Sequence, residues 1–334
     1  MNIIKIKIKE IAEKAGVSIS TVSKVIHHYS GVSQDTRQKV NTIMAELGYK
    51  VHYRNQNNSS TKCIGIILGK DIPFNHPYFS KVIDVFKDVI YKEGFDFVFF
   101  SNQLQSNEKT KNYLLSCREY QVDGCLILAE KGMGNSIIDL DTSDVPCVGI
   151  DVELSGDKSS YIMTDNDQIA KKAVEHFYLH GYKDIGYIGI NKKWQVAKLR
   201  EEGFKKALSN YGLKIHKQWF VHGENFESES GYEVMKQMLQ SNQLPRAIFA
   251  WHDIFAIGAM NALKEQHVNI PEDIAIIGCD DIDAGKYLSP PLTTVLQDHE
   301  KIGKLAAQML MDIMNNKKLS PIQIEPGLVV RGTA

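Results

Sequence analysis

The sequence predicts an α/β protein: a small helical headpiece at the N-terminus, then two doubly wound α/β lobes. Three observations carry this. Residues 8–47 show helical apolar spacing broken by tight turns. From residue 63 onward, short continuous apolar runs alternate with helical patterns. That alternation completes one series and begins a second near residue 166.

In the headpiece, Ile8, Ile11, Ala12 and Ala15 fall at i, i+3, i+4 and i+7, one face of a helix. Gly16 can take the positive φ of a sharp turn, and Ser18 stands where the N-cap of a second helix belongs. In that helix Val22, Val25 and Ile26 point inward, leaving Ile19, Ser20, Thr21, Ser23 and Lys24 outside. A third helix is capped by Ser33, carries Val40, Ile43, Met44 and Leu47 as its apolar stripe, and stops at Gly48. Helix, glycine turn and helix with a small, polar and basic outer face is the helix-turn-helix pattern. Charge points the same way. Residues 1–62 hold 10 Lys/Arg against 4 Asp/Glu, whereas the whole chain has a net charge of −1. A basic headpiece on an acidic body is the footprint of a nucleic-acid binder.

Residues 51–62, VHYRNQNNSSTK, lack apolar periodicity and read as a linker. CIGIIL (63–68) then has the continuous apolar character of a strand buried on both faces of a parallel sheet. A helix follows at 78–93, FDFVFF at 95–100, a helix at about 107–119, and GCLILA at 124–129. PCVGID (146–151) and SYIMTD (160–165) close the first five-strand series. The second has helices at about 166–180, 196–211, 229–241 and 254–267, with strands at 184–190, near 219–222, 247–251, 274–281 and 293–298. A last helix covers 299–315. Two such series imply two similar lobes with a cleft between them, where ligands bind beyond the carboxyl ends of the strands.

Composition narrows the class. The hydrophobic fraction of 43% and charged fraction of 24% are those of a soluble globular protein. No stretch approaches a membrane span, and MNIIKIKIKE lacks the apolar region of a signal peptide, so a cytoplasmic protein is expected. The five cysteines, odd in number and without C-x-x-C spacing, read as reduced buried thiols; no metal or cofactor is expected. An enzyme on this fold is disfavoured, because no G-x-G-x-x-G, Walker A or G-x-S-x-G run is present. A periplasmic solute-binding protein is disfavoured by the basic headpiece.

IKEIAEKAGVSISTVSKVI, GVSQDTRQKV, ELGY, FESESGY, IPEDIAIIGCDDI, PPLTTV and VVRGT, in this order, resemble the LacI/GalR family of bacterial transcription regulators over essentially the whole chain. The resemblance implies a homodimer reading a pseudo-palindromic operator in double-stranded DNA. It also implies a two-lobed core, similar to periplasmic sugar-binding proteins, that senses a small effector. The boundaries are a DNA-binding domain at 1–50, a linker at 51–62 and a core at 63–334. The N-lobe takes about 63–163 and 295–322, and the C-lobe about 164–294 and 323–334. The helices at about 78–92 and 299–315 would supply a dimer face.

On that basis Ile19, Ser20 and Lys24 match the family's base-reading positions. Lys24 can donate to guanine, Ser20 can bond either kind of edge, and Ile19 can pack on a thymine methyl. Ser18, Thr21, Ser23, Ser33, Thr36 and Arg37 complete the expected DNA contacts, the hydroxyls and Arg37 on phosphates. His27 stands where the family usually has Asn. The linker departs from the family pattern, in which a hinge helix carries a Leu into the minor groove; here YRNQNNSST has no Leu, and Asn58 falls about where it belongs.

The family's effector positions fall on Tyr78, Phe79, Asp151, Asp165, Arg200, Phe226, Trp251, His252, Asp253, Asp280 and Gln297. Aromatic faces, carboxylates and an arginine suit a polyhydroxylated ligand, probed first as a sugar. If Asp71, Glu130, Asp151 and Asp280 converge, a cationic ligand such as an amino sugar is favoured.

Overall fold

The computed structural model describes residues 8–26, 31–47, 62–69, 72–100, 112–128, 134–191, 194–241 and 243–334. The chain divides into two compact units, Met1–Ser60 and Thr61–Ala334. The linker residues 51–61, with Asn58, lie outside the described residues, as do His27, Gly48, Tyr49, Asp71, Glu130 and the side chain of Ile26.

In the first unit α1 is Ile8–Ala15, α2 Ile19–Ile26 and α3 Gln34–Glu46. Gly16 turns the chain at φ +63°. Ser18 Oγ then accepts from the Thr21 N–H at 3.0 Å, satisfying one of the free donors that open α2. Ile11, Ala12, Ala15, Val22, Val25, Val40 and Met44 form the core. Full burial of a Val or Ile is worth about 1.5–3 kcal/mol, so this is a small core.

The second unit begins with β1 (Lys62–Leu68), α4 (Pro77–Lys92), β2 (Phe95–Phe100), α5 (Tyr113–Glu119), β3 (Gly124–Leu128), α6 (Asn135–Asp141), β4 (Cys147–Ile150) and β5 (Ser159–Thr164). The second series is α7 (Asn166–Leu179), β6 (Ile185–Ile190), α8 (Gln195–Asn210), β7 (Phe220–Gly223), α9 (Ser228–Leu239), β8 (Ala247–Ala250), α10 (Asp253–Glu265), β9 (Ala275–Cys279), α11 (Asp283–Lys286) and β10 (Thr293–Leu296). Then come α12 (His299–Met314), β11 (Ile322–Ile324) and β12 (Gly327–Val329).

Two six-stranded sheets result, ordered β11-β5-β4-β3-β1-β2 and β12-β10-β9-β8-β6-β7. The sequence predicts five strands in each. The sixth is a three-residue strand from the chain's end, too short to show a period of two. Every pairing is parallel except β10 with β12. The chain therefore passes between lobes three times: from Thr164 to Asn166, from Leu296 to His299, and from Ile324 to Gly327. The helix expected from about 107 starts at Tyr113, where Asn112 Oδ1 caps it by accepting from the Leu115 N–H; residues 107–111 are outside the described set. Helices α6 and α11 escape the sequence reading because each is two turns or shorter.

Close packing of α9 on α10 positions part of the cleft. A Cβ on Gly231 would lie 2.4 Å from the Phe255 carbonyl oxygen, and one on Gly258 would lie 1.9 Å from that of Ser228. The two backbones touch, which no larger residue permits. That contact fixes the loop before α9, which carries Phe226, against the start of α10, which follows His252. Among the described residues no helix is long and apolar enough to cross a membrane, and all five cysteines are free.

Candidate functional site

In the helical unit, Ile19 is 52% exposed, although an isoleucine in a small domain is ordinarily spent on the core. Ser18, Ser20, Lys24 and Ser33 are exposed, while Thr21, Ser23, Thr36 and Arg37 are half-buried. Ser18 Oγ lies 2.8 Å from both Ser20 Oγ and Thr21 Oγ1, making a hydroxyl cluster over the first turn of α2. Ser33 Oγ pairs likewise with Thr36 Oγ1 at 2.8 Å and accepts from the Thr36 N–H at 3.4 Å. Ser18 and Ser33 are thus caps, and each keeps an exposed oxygen near a helix N-terminus, a place suited to a phosphate.

The second unit holds a cleft lined by His76, Tyr78, Phe79, Asp151, Trp194, Gln195, Val196, Arg200, Phe226, Trp251, His252, Asp280 and Gln297. The lining residues lie beyond the carboxyl ends of the strands, in the connecting segments or the first two turns of the helices that follow. The first lobe supplies His76, Tyr78, Phe79 and Asp151. The second supplies the others up to Asp280, and Gln297 sits on the crossing from β10 to α12.

Arg200 is the buried cation of this site. Its Nε donates to Asn166 Oδ1 at 3.1 Å and its Nη1 to the Trp251 carbonyl, and the guanidinium lies 5.9 Å from the centre of the Trp251 ring. Burial opposes its charge, but Cys279, Asp280, Tyr187 and Asp151 outweigh that and raise its pKa. Burial pushes Asp151 up to about 6 and Asp280 up to about 7, with Arg200 pulling both the other way. Gln297 Nε2 donates to Asp280 Oδ1 at 2.7 Å. Asp151 and Asp280 stand at φ +57° and +119°, backbone conformations that non-glycine residues adopt at a cost and that recur at binding sites.

Aromatic rings make the walls. Trp194 meets Phe226 edge-on at 4.6 Å, Phe226 meets Trp251 at 5.3 Å, and Trp251 meets His252 at 4.3 Å. His76 faces His252 from the other lobe at 6.2 Å. Burial lowers His76 to about 4 and takes His252 well below the usual histidine range, so both are neutral near pH 7. Six buried polar atoms of the lining lack a hydrogen-bond partner: both ring nitrogens of His76, Tyr78 Oη, Trp251 Nε1, His252 Nε2 and Gln297 Oε1. An unpartnered buried polar group costs about 1–3 kcal/mol, so their convergence marks a place built for a polar guest. At the cleft's edge Lys81 Nζ of α4 pairs with Asp283 Oδ2 of α11 at 2.7 Å, an ion pair between lobes.

Nine of the eleven expected effector residues line this cleft; Asp165 and Asp253 do not. Asp165 is the N-cap of α7, where its Oδ1 accepts from the Gln168 N–H at 3.1 Å. Asp253 is fully buried: it accepts from the Ile282 N–H at 2.9 Å and from Thr294 Oγ1 at 2.6 Å, tying α10 to the segments after β9 and along β10. It faces the sheet because it is the first residue of α10, one step past His252, which faces the cleft. Trp194, Gln195 and Val196 escape the sequence reading, although a tryptophan opening the helix that carries Arg200 was a usable signal. His76, two residues before Tyr78, and Asn166, which holds Arg200, are likewise absent from the expected positions. Asp71 and Glu130 are outside the described set, so an acidic ring of four is not observed. No group of His, Cys, Asp and Glu among the described residues is arranged to hold a metal.

A bilobal parallel-sheet core with an interlobe cleft, joined to a helix-turn-helix unit, defines a ligand-responsive DNA-binding regulator. Residues 7–51 match the family model described as bacterial regulatory proteins, lacI family, and residues 174–334 match a periplasmic binding protein-like domain. The HTH-type transcriptional repressor PurR of Pasteurella multocida is 35% identical over 329 residues, covering 97% of each chain. That of Histophilus somni is 33% identical over 329 residues, again covering 97% of each. The lac repressor dimer bound to operator and the anti-inducer ONPF is 26% identical with a TM-score of 0.72, covering 98% of each chain. A LacI family transcriptional regulator from Enterococcus faecium with bound ribose is 27% identical with a TM-score of 0.71, covering 81% of this chain and 98% of that one. The chain belongs to the LacI/GalR family of bacterial transcription regulators. It is a DNA-binding transcription regulator, as its relatives are, and not an enzyme.

Proposed function

We propose that this chain is a cytoplasmic repressor that binds operator DNA as a homodimer and whose operator affinity is set by a small effector held between the core lobes. In the DNA-binding unit, Ile19, Ser20 and Lys24 read base edges and the hydroxyls with Arg37 hold phosphates. In the core, Arg200, Asp280, Gln297 and the aromatic walls hold the effector. The observation that carries the reading is the convergence of six unpartnered polar atoms around Arg200 in a cleft that both lobes build. A ligand that contacts both lobes favours whichever lobe arrangement it binds better, and a differential affinity is all that control requires.

The effector class best supported is a small neutral polyhydroxylated compound. Aromatic faces pack on the C–H face of a sugar ring, and the related regulator from Enterococcus faecium carries ribose. Arg200 offsets one of the two charges of Asp151 and Asp280, and burial pushes Asp280 up to about 7, so little negative charge is left over for an amino sugar. A flat heterocycle is the second reading, favoured by the Phe226 and His252 rings lying within 19° of parallel at 6.0 Å.

The test is selection of genomic fragments by the purified protein at moderate salt, alone and with monosaccharides, amino sugars and nucleobases. Recovery of one palindromic sequence, with recovery changed by one compound, supports the reading. A palindrome whose recovery no compound alters contradicts the effector half, and no sequence above non-specific background contradicts the operator half.

A further inference from the structure

Two of the unpartnered atoms belong to neighbours at the carboxyl end of β8, and their chemistry is fixed by what else each side chain does. The Trp251 indole nitrogen can only donate. The ring of His252 is more constrained than its burial suggests. Its Nδ1 accepts from the Phe255 N–H at 3.1 Å, where it acts as the N-cap of α10. An acceptor nitrogen carries no proton, so the single proton of a neutral imidazole must sit on Nε2, the atom left without a partner in the cleft. Trp251 is 4% and His252 3% exposed, so water does not freely satisfy either donor. Gln297 is fixed in the opposite sense: its amide nitrogen is committed to Asp280, and its oxygen is left to accept.

We infer that Trp251 and His252 form a two-donor edge on the second lobe, and that the effector is a neutral compound presenting two hydrogen-bond acceptors to it. This inference rests on the cleft being the effector site. His252 therefore acts as a specificity determinant as well as a helix cap. A guest offering only N–H or ammonium groups to this edge leaves both donors unsatisfied. Adjacent hydroxyl, ring or carbonyl oxygens, or ring nitrogens, satisfy them.

The protonation state is tested without a ligand by long-range proton–nitrogen correlation on full-length protein with ¹⁵N-labelled histidine rings, using His252→Asn to assign the signal. The expected result is an Nε2–H tautomer on a ring that is neutral at pH 7. An Nδ1–H tautomer, or a charged ring at pH 7, overturns the inference. Specificity is tested by titrating D-ribose, D-glucose, D-glucosamine, adenine and uracil into wild type, Trp251→Phe and His252→Asn. Trp251→Phe keeps an aromatic ring while removing the donor together with the indole's second ring; His252→Asn keeps a capping oxygen on a shorter side chain. The compound that binds wild type is expected to bind each variant about ten-fold weaker or worse, with melting temperatures close to wild type. Equal binding to wild type and Trp251→Phe, or tightest binding by D-glucosamine with no loss in either variant, overturns it. Failure of all five compounds to bind wild type tells against the proposed effector classes, and the tautomer measurement still decides the donor edge.

Discussion

The two recognition surfaces of this chain solve opposite problems. The helical unit shows Ile19, Ser20 and Lys24 to solvent, and its hydroxyls already serve as helix caps. Its partner, a polyanion, supplies charge over a long surface, and attraction through water suffices to bring the two together. The cleft of the second unit buries Arg200, Asp280, Trp251, His252 and Gln297 and leaves several of their polar atoms unpartnered. A small guest of the kind proposed offers few contacts, so each must be made in a dry, fixed frame. The contrast teaches that the first surface keeps its groups solvated until DNA arrives, while the second holds unsatisfied groups in place by the packing of two lobes.

That contrast can be broken at Arg200. Replacing it with Met takes the donor from buried Asn166 Oδ1 and the Trp251 carbonyl and the nearby cation from Asp151 and Asp280, and each buried acceptor left unpaired costs about 1–3 kcal/mol. Thermal unfolding should show the loss, while the salt dependence of DNA binding by the folded fraction stays unchanged. A change in that salt dependence would mean the two surfaces share their electrostatics.

A second effect comes from Asp280. Burial holds it near 7 against 3.8 in the unfolded chain, so between those values the folded state keeps a proton that the unfolded state has released. Stability therefore rises as pH falls from about 8 to about 6.5, by at most about 1.4 kcal/mol per pH unit for one group. Asp253, raised by burial and by Asp280, acts in the same sense. Below 6.5 the gain is offset, because His76 and His252 stay neutral in the fold while their unfolded counterparts bind protons. Denaturant titrations at pH 8, 7 and 6 should show this slope, and Asp280→Asn should remove Asp280's share of it.

The exposed surface acts on DNA binding more than on stability. Lys24→Ala should weaken binding to the selected operator by about 1–3 kcal/mol if Lys24 reads a base, with the loss confined to specific sites. A uniform loss on all DNA, with a salt slope shallower by about one, would assign it to a phosphate instead. Smallest is Lys81→Met. The Lys81–Asp283 pair is 30% and 58% exposed, so its removal should cost under about 1 kcal/mol and the difference should vanish in molar salt.

How much was legible follows from what each residue depends on. The helical unit could be read almost whole, because Gly16, Ser18 and the spacing of Ile11, Ala12 and Ala15 act within one or two turns. The α/β alternation was equally plain, since CIGIIL or IAIIGC can be little other than a buried strand. The cleft was legible only through strand ends: Asp151, Trp251 and Asp280 follow apolar runs and so reach the carboxyl edge. Asp165 and Asp253 follow the same rule and miss the cleft, because capping α7 and bridging α10 to Thr294 depend on side-chain direction, which spacing does not give. Trp194 lines it because α8 begins there, and β11 and β12 are too short to announce themselves.

The most direct test of coupling between the two surfaces is fluorescence anisotropy of the selected palindrome titrated with full-length protein, at saturating effector and without it. Wild type and Arg200→Met should be compared at a temperature where both are folded. The compound should change the operator affinity of wild type at least several-fold, in either direction, and leave that of Arg200→Met unmoved. An affinity that stays the same in wild type while calorimetry shows the compound bound, or a full response in Arg200→Met, would contradict that coupling.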